Sequence, residues 1–158
     1  MTELKEASRR FQQAAAELGL TVEITEHAVS SRTAEEAGAA CGCTVGQIVK
    51  SLIFRGAKSG RPIMLLVSGA NRVDQIGVAK AIGEPLDRPD AGYVRDLTGY
   101  AIGGIPPLGH KTAIATYIDR DLMQHAVIWA AAGTPNSVFP VAPERLAEFA
   151  RATIISVT

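Results

Sequence analysis

Few residues in this chain are equipped for chemistry, and the first stands in an apolar row. In "GQIVKSLIFRG", Gly46 to Gly56, strand alternation puts Ile48, Lys50, Leu52 and Phe54 on one face and Val49, Ser51, Ile53 and Arg55 on the other. A lysine so placed either snorkels from a strand end, pairs with a carboxylate such as Asp74, or serves as a fixed cation facing a pocket. The last arrangement suits a ligand that carries phosphate. A second candidate is "GYAIGGIPPLGHKT", where three glycines and two prolines fall between Gly103 and Gly109. Such a loop is rigid, and its backbone can approach something small, although an ordinary helix-to-strand connection has the same composition. His110 follows it directly and suits either a general base or a solvated loop end.

The remaining reactive side chains promise less. Cys41 and Cys43, in "ACGCTVG", are the only cysteines; their one-residue gap is awkward for a disulfide and offers two of the four ligands of a structural zinc. His27, His110 and His125 share no ligand spacing with them, so no metal and no cofactor are expected. His27 fits a pocket wall or a cap on the turn that follows it. His125 and Trp129 read as packing residues, and Asp119 as the cap of the turn "DRDL". The nucleophile elbow "GxSxG" is absent, as are the phosphate-binding patterns "GxGxxG" and "GxxxxGK[ST]".

These residues need elements to hold them. Leu4, Ala7, Phe11, Ala14 and Leu18 recur at helical spacing before Gly19, predicting a first amphipathic helix. "TVEITEH" reads as a short strand, and Thr33 with Glu36 opens a helix to about Ala40 at capping-box spacing. The strand at about 47–55 and "IMLLVSG" form a hairpin across "GAKSGRP". Helices three and four follow in "NRVDQIGVAKAIG" and "PDAGYVRDLTG". "TAIATYID", "HAVIWAAAG", "SVFPV" and "TIISV" are strands, with a helix from Pro143 in "PERLAEFAR". Strands in two blocks interrupted by helices predict an α+β domain with a mixed, strongly curved sheet.

Composition narrows the class. A chain of 158 residues, 47% of them hydrophobic, suits one domain spanning 1–158. Sixteen basic residues balance sixteen acidic ones, which argues against a DNA-binding protein that neutralises a duplex backbone. No apolar run approaches the roughly 20 residues that span a bilayer, and "MTELKEASRRFQQ" is unlike a signal peptide. The expected location is the cytoplasm, with no membrane partner.

Taken in order, "QIVKSLIF", "GGIPPLGH" and "WAAAGTPNSVFPVAPERL" resemble the YbaK family of aminoacyl-tRNA deacylases, relatives of the editing domain inserted in bacterial prolyl-tRNA synthetases. "EHAVSSRTAEEAG" is similar to the family's early histidine and Glu-Glu-Ala helix, so the resemblance covers nearly the whole chain. It implies a barrel-like, strongly curved mixed sheet with flanking helices, in a free-standing editing protein that binds the 3′ end of a mischarged tRNA, such as tRNA-Pro carrying a small wrong amino acid like alanine or cysteine, and hydrolyses the aminoacyl ester. It further implies catalytic roles for Lys50, Gly103 and Gly133, and substrate contacts from His27, Gly104, Ile105, Pro106, Pro107 and His110. Lys50 would meet the terminal adenosine, and backbone N–H groups near Gly103 or Gly133 would hold the oxyanion. An aminoacyl-tRNA synthetase or an elongation factor would present the tRNA. Some members that act on alanyl-tRNA carry a histidine near the last segment, whereas Ala131 to Thr134 offer none, so the amino acid removed stays open. The rival class is a non-catalytic module that binds an aminoacyl group and regulates a partner.

Overall fold

The computed structural model describes residues 4–27 and 33–158; part of "EHAVSSRTAEEAG" and the first three residues lie outside that set. α1 (Glu6–Glu17) buries Phe11 and Ala15, with Ser8 beside them. Leu18, expected in the apolar stripe, instead forms the C-cap and is 51% exposed. Gly19 then turns the chain at φ 96°, a conformation that favours glycine. Of "TVEITEH" only β1 (Thr25–Glu26) pairs. α2 (Ala34–Cys41) starts as its capping chemistry dictates, with Thr33 Oγ1 accepting the Glu36 N–H at 3.1 Å.

β2 (Val49–Gly56) and β3 (Pro62–Ser68) form the expected antiparallel hairpin, in register from Val49↔Ser68 to Arg55↔Pro62. α3 (Gln75–Ile82), β4 (Leu86–Asp87) and α4 (Ala91–Thr98) follow, β4 being a strand too short for the sequence to announce. β5 (Ala115–Asp119), β6 (Ile128–Ala131), β7 (Ser137–Val141), α5 (Pro143–Phe149) and β8 (Thr153–Ile155) complete the order. No described helix is long and apolar enough to cross a membrane.

The strands divide between two sheets, so the fold is a mixed α+β one, with five α-helices among the described residues. One sheet has the order β4-β2-β3-β5-β8, the other β1-β7-β6. β3–β5 and β5–β8 are parallel, and the other ladders antiparallel. In place of the single barrel-like sheet expected, a lone parallel bridge between Ile48 and Trp129 joins the two, and no pairing among the described residues closes a barrel. β2 meets β4 only at Arg55 and Gly56, at the end away from Ile48, so the residues between have β3 alone as a ladder neighbour among the described residues.

The faces of β2 and β3 sort by alternation. Val49, Ile53, Met64 and Leu66 join the larger core, where Phe11 of α1 meets Phe139 of β7 with ring centroids 5.0 Å apart. Phe54, Ile63, Leu65 and Val67 turn to a second cluster with Val78 and Val157. Lys50 shares its parity with Phe54, and Ser51 shares its parity with Val49 and Ile53.

Candidate active site

Beyond the Ile48–Trp129 bridge the two sheets part, and a cavity of about 340 Å³ occupies the fork. Val49 to Leu52 of β2 form one wall and Trp129 to Ala131 of β6 the other. Thr33, Ala34 and Ala37 of α2 close one side, and Ile102, Gly103 and Ile105 of the glycine loop another. From Lys50 to Phe54, β2 has a ladder neighbour only in β3, and β6 beyond the bridge only in β7, among the described residues. Strand edges without partners present free backbone N–H and C=O groups. The fork is therefore a cleft with hydrogen-bonding walls.

Lys50 is held at this cleft by a relay that starts elsewhere in the fold. Asn71 Nδ2 donates to Asp119 Oδ2 and Asp121 Oδ2, each at 2.8 Å, which fixes the loop after β3. The Asn71 backbone oxygen then accepts from Lys50 Nζ at 2.6 Å. Asp119 caps its turn as expected, through Oδ1 and the Asp121 N–H at 2.9 Å, and its Oδ2 also takes the Ser68 N–H at 3.0 Å. Asp74, the carboxylate considered for Lys50, sits exposed at the N-cap of α3. No carboxylate lies within ion-pair distance of Nζ among the described residues. Burial lowers the Lys50 pKa from its ordinary 10.5, against the opposing charges of Glu35 and Asp119. An ammonium has three donors, and one is committed here.

The glycine loop divides by function of its backbone. A Cβ built on Gly103 would meet nothing nearer than Pro135 at 3.7 Å, and the Gly103 N–H has no partner among the described residues. Gly104 and Gly133 behave differently. A Cβ on Gly104 would lie 2.7 Å from Thr134 Cα, and one on Gly133 would lie 2.7 Å from the Ala7 oxygen of α1. The Gly133 N–H donates to the Gly104 oxygen at 3.0 Å, and the Gly104 N–H to the Ala101 oxygen at 3.0 Å. These two glycines seat the loop against the turn after β6. Their N–H groups are already spent within the protein.

Lys50, Gly103 and Ile105 thus meet in the fork, and the other nominated residues surround or leave it. Pro106 is buried, while Pro107 and His110 line a separate cavity of about 410 Å³ with Ala14 and Phe149. His110 Nε2 lies 2.6 Å from the Pro106 oxygen; a carbonyl only accepts, so that nitrogen carries the proton. Burial lowers the His110 pKa from 6.5. His27 is tied to the turn behind the fork, its N–H donating to the Asn136 oxygen at 2.7 Å and its oxygen accepting from Asn136 Nδ2 at 2.9 Å.

With this arrangement in view, the comparisons with known proteins are decisive. The model of the aminoacyl-tRNA editing domain matches residues 28–149. The chain belongs to that family. YwhH of Bacillus subtilis, which has no assigned function, is 30% identical over 127 residues, 80% of each chain. EbsC of Enterococcus faecalis, provisionally a Cys-tRNA(Pro)/Cys-tRNA(Cys) deacylase, is 29% identical over 80% of this chain and 77% of its own. A crystal structure assigned provisionally to a trans-editing enzyme for prolyl-tRNA synthetase superposes with a TM-score of 0.92 at 42% identity, covering 99% of both chains.

Within this editing domain, sequence reasoning passed over two cavity residues. Trp129 was read as packing, yet it is half-buried in the fork wall. Ser51 lines the same cavity, and its Oγ is buried without a hydrogen-bond partner. Leaving a buried hydroxyl unpaired costs about 1–3 kcal/mol. The signal was available, because a serine between Val49 and Ile53 interrupts an apolar row. The cysteines stay outside the fork, and burial, with Cys43 adjacent, pushes the Cys41 thiol up to about 11. No group of three metal-ligating side chains forms among the described residues. A larger groove of about 640 Å³ beside α3 and β4 contains none of the nominated residues.

Proposed function

We propose that this editing domain deacylates mischarged tRNA in trans, releasing a small wrong amino acid from tRNA-Pro. The observation that carries this reading is the convergence of Lys50, with donors to spare, and the free Gly103 N–H on a cleft between unpaired strand edges. The terminal adenosine lies at the mouth, where the Lys50 ammonium binds its phosphate or ribose. The aminoacyl group enters the fork. A water adds to the ester carbonyl, the vicinal ribose hydroxyl assists its deprotonation, the ester C–O bond breaks, and the proton passes to the departing ribose oxygen. The products are the free amino acid and uncharged tRNA.

The oxyanion formed on the way is held by the Gly103 N–H and by backbone donors of the strand edges. One such donor is worth about 2.7–4 kcal/mol of transition-state stabilisation. Gly133 contributes through the position it gives the loop. No protein nucleophile is needed, because the ester is already activated and neither cysteine lines the fork. A cysteinyl substrate brings its own thiol as an internal nucleophile.

We assign the chain as one domain over 1–158 acting in the cytoplasm, with a synthetase or elongation factor presenting the tRNA. The balanced charge supports weak, salt-sensitive binding of the tRNA body. The deciding experiment measures hydrolysis of Ala-, Cys-, Ser- and Thr-tRNA against the uncatalysed rate. Turnover of at least one is expected; none across the panel would leave a non-catalytic aminoacyl-binding module.

A further inference from the structure

Three residues that carry side-chain hydroxyls are among those around the fork, Thr33, Ser51 and Ser137. Thr33 Oγ1 is committed to the Glu36 N–H. Ser137 Oγ is committed twice over, accepting from Ser8 Oγ at 3.0 Å and from the Thr134 N–H at 3.1 Å. Ser51 Oγ is committed to nothing, and it is buried. Its neighbours on the same strand face are Val49 and Ile53, so alanine or valine would fill the position without stranding a polar atom.

We infer that Ser51 is the specificity-determining residue of the cavity: its hydroxyl bonds the side chain of the bound aminoacyl group and selects small side chains bearing a hydroxyl or thiol over alanine. This rests on the deacylase reading above. The argument turns on depth. The ester has to stay within reach of water, and the ribose to which it is attached carries the rest of the tRNA and so stays toward the mouth. The substrate atom able to meet a fully buried hydroxyl is the one farthest from the ribose, which is the tip of the amino-acid side chain. Alanine entering the same space would leave Ser51 unpaired, and a site built to bond a polar group discriminates against the analogue lacking it.

The test compares Ser- and Ala-charged tRNA-Pro, which differ by one hydroxyl, as kcat/KM values for wild type, Ser51→Ala and Ser51→Thr. The wild type is expected to favour Ser-tRNA-Pro, Ser51→Ala to lower the Ser-to-Ala ratio about tenfold or more, and Ser51→Thr to keep it. Ser51→Ala is also expected to melt at or above the wild-type temperature, since it deletes an unpaired buried group. A ratio left unchanged by Ser51→Ala, whether the two rates fall together or stay as they were, overturns the inference. So does a lowered melting temperature, which would mark Ser51 as structural. Wild-type protein that hydrolyses no charged tRNA in the panel defeats the deacylase reading itself, a result distinct from an unmoved ratio in an active enzyme.

Discussion

Gly103 and His110 stand on one short loop, yet they serve different cavities and differ in how their polar atoms are used. At the Gly103 end the N–H has no partner and the space beside Cα is open among the described residues, and Lys50 lines the same cleft. At the other end the His110 ring is bonded to the Pro106 oxygen, and burial favours its neutral form. By residue type histidine is the more reactive of the two. By availability it is glycine, because chemistry needs groups the fold has not already used. On the proposed mechanism the loop has a working end and a supporting end, a division its composition does not show.

The comparison breaks most visibly at Lys50. Lys50→Ala is expected to lower deacylation about a hundredfold or more, the scale of a lost charged contact in the transition state, while the melting temperature holds, because a partly buried cation without a carboxylate partner is removed. Single-turnover hydrolysis and thermal melting of the same variant check both halves. A joint fall would make Lys50 a structural residue and leave the working end without its cation. The depressed Lys50 pKa adds a pH signature: catalysis above the uncatalysed rate declines on the alkaline side before an ordinary lysine, at 10.5, would lose its proton.

A smaller effect is expected where the loop is seated. Gly104→Ala drives a methyl toward Thr134 Cα, and such overpacking typically costs about 1–3 kcal/mol, measurable as a shift in the urea midpoint. An unshifted midpoint would mean that the turn after β6 yields, and the loop's seating would then be softer than its geometry implies.

The smallest change is expected at the supporting end. His110→Gln loses a hydrogen bond worth about 0.5–1.5 kcal/mol, and deacylation changes by less than about threefold, a fraction of a kcal/mol in barrier height. The pH dependence carries a sign as well. A histidine whose folded pKa is depressed contributes stability above its unfolded value of 6.5 that is lost as pH falls, so His110→Gln flattens the acid limb of the stability profile. A loss of activity comparable with that of Lys50→Ala would place His110 at the working end after all.

What was legible in the sequence is what depends on neighbours in sequence. The Thr33 cap, the glycine after α3, the Asp119 turn and the β2–β3 hairpin follow from residues a few positions apart. The cation in an apolar strand row was visible for the same reason. The relay that steadies it joins Asn71 to Asp119 across 48 residues of chain, and nothing local indicates that pairing. The fork was hidden because the Ile48–Trp129 bridge joins strands far apart in sequence, and nothing local marks where that pairing stops. Leu18 marks the opposite failure: helical spacing put it in the apolar stripe, yet it is the C-cap of α1 and stands exposed.

The lone bridge between Ile48 and Trp129 has a bearing on how such proteins diversify. Because the cleft is walled by strand edges, a change of side chain at Ser51, Ala130 or Ala131 alters what fits without removing a rung from either ladder. The backbone groups of those edges are present whatever side chains stand beside them. Preference for one amino acid can therefore drift by single substitutions while the capacity to cleave the ester is inherited intact.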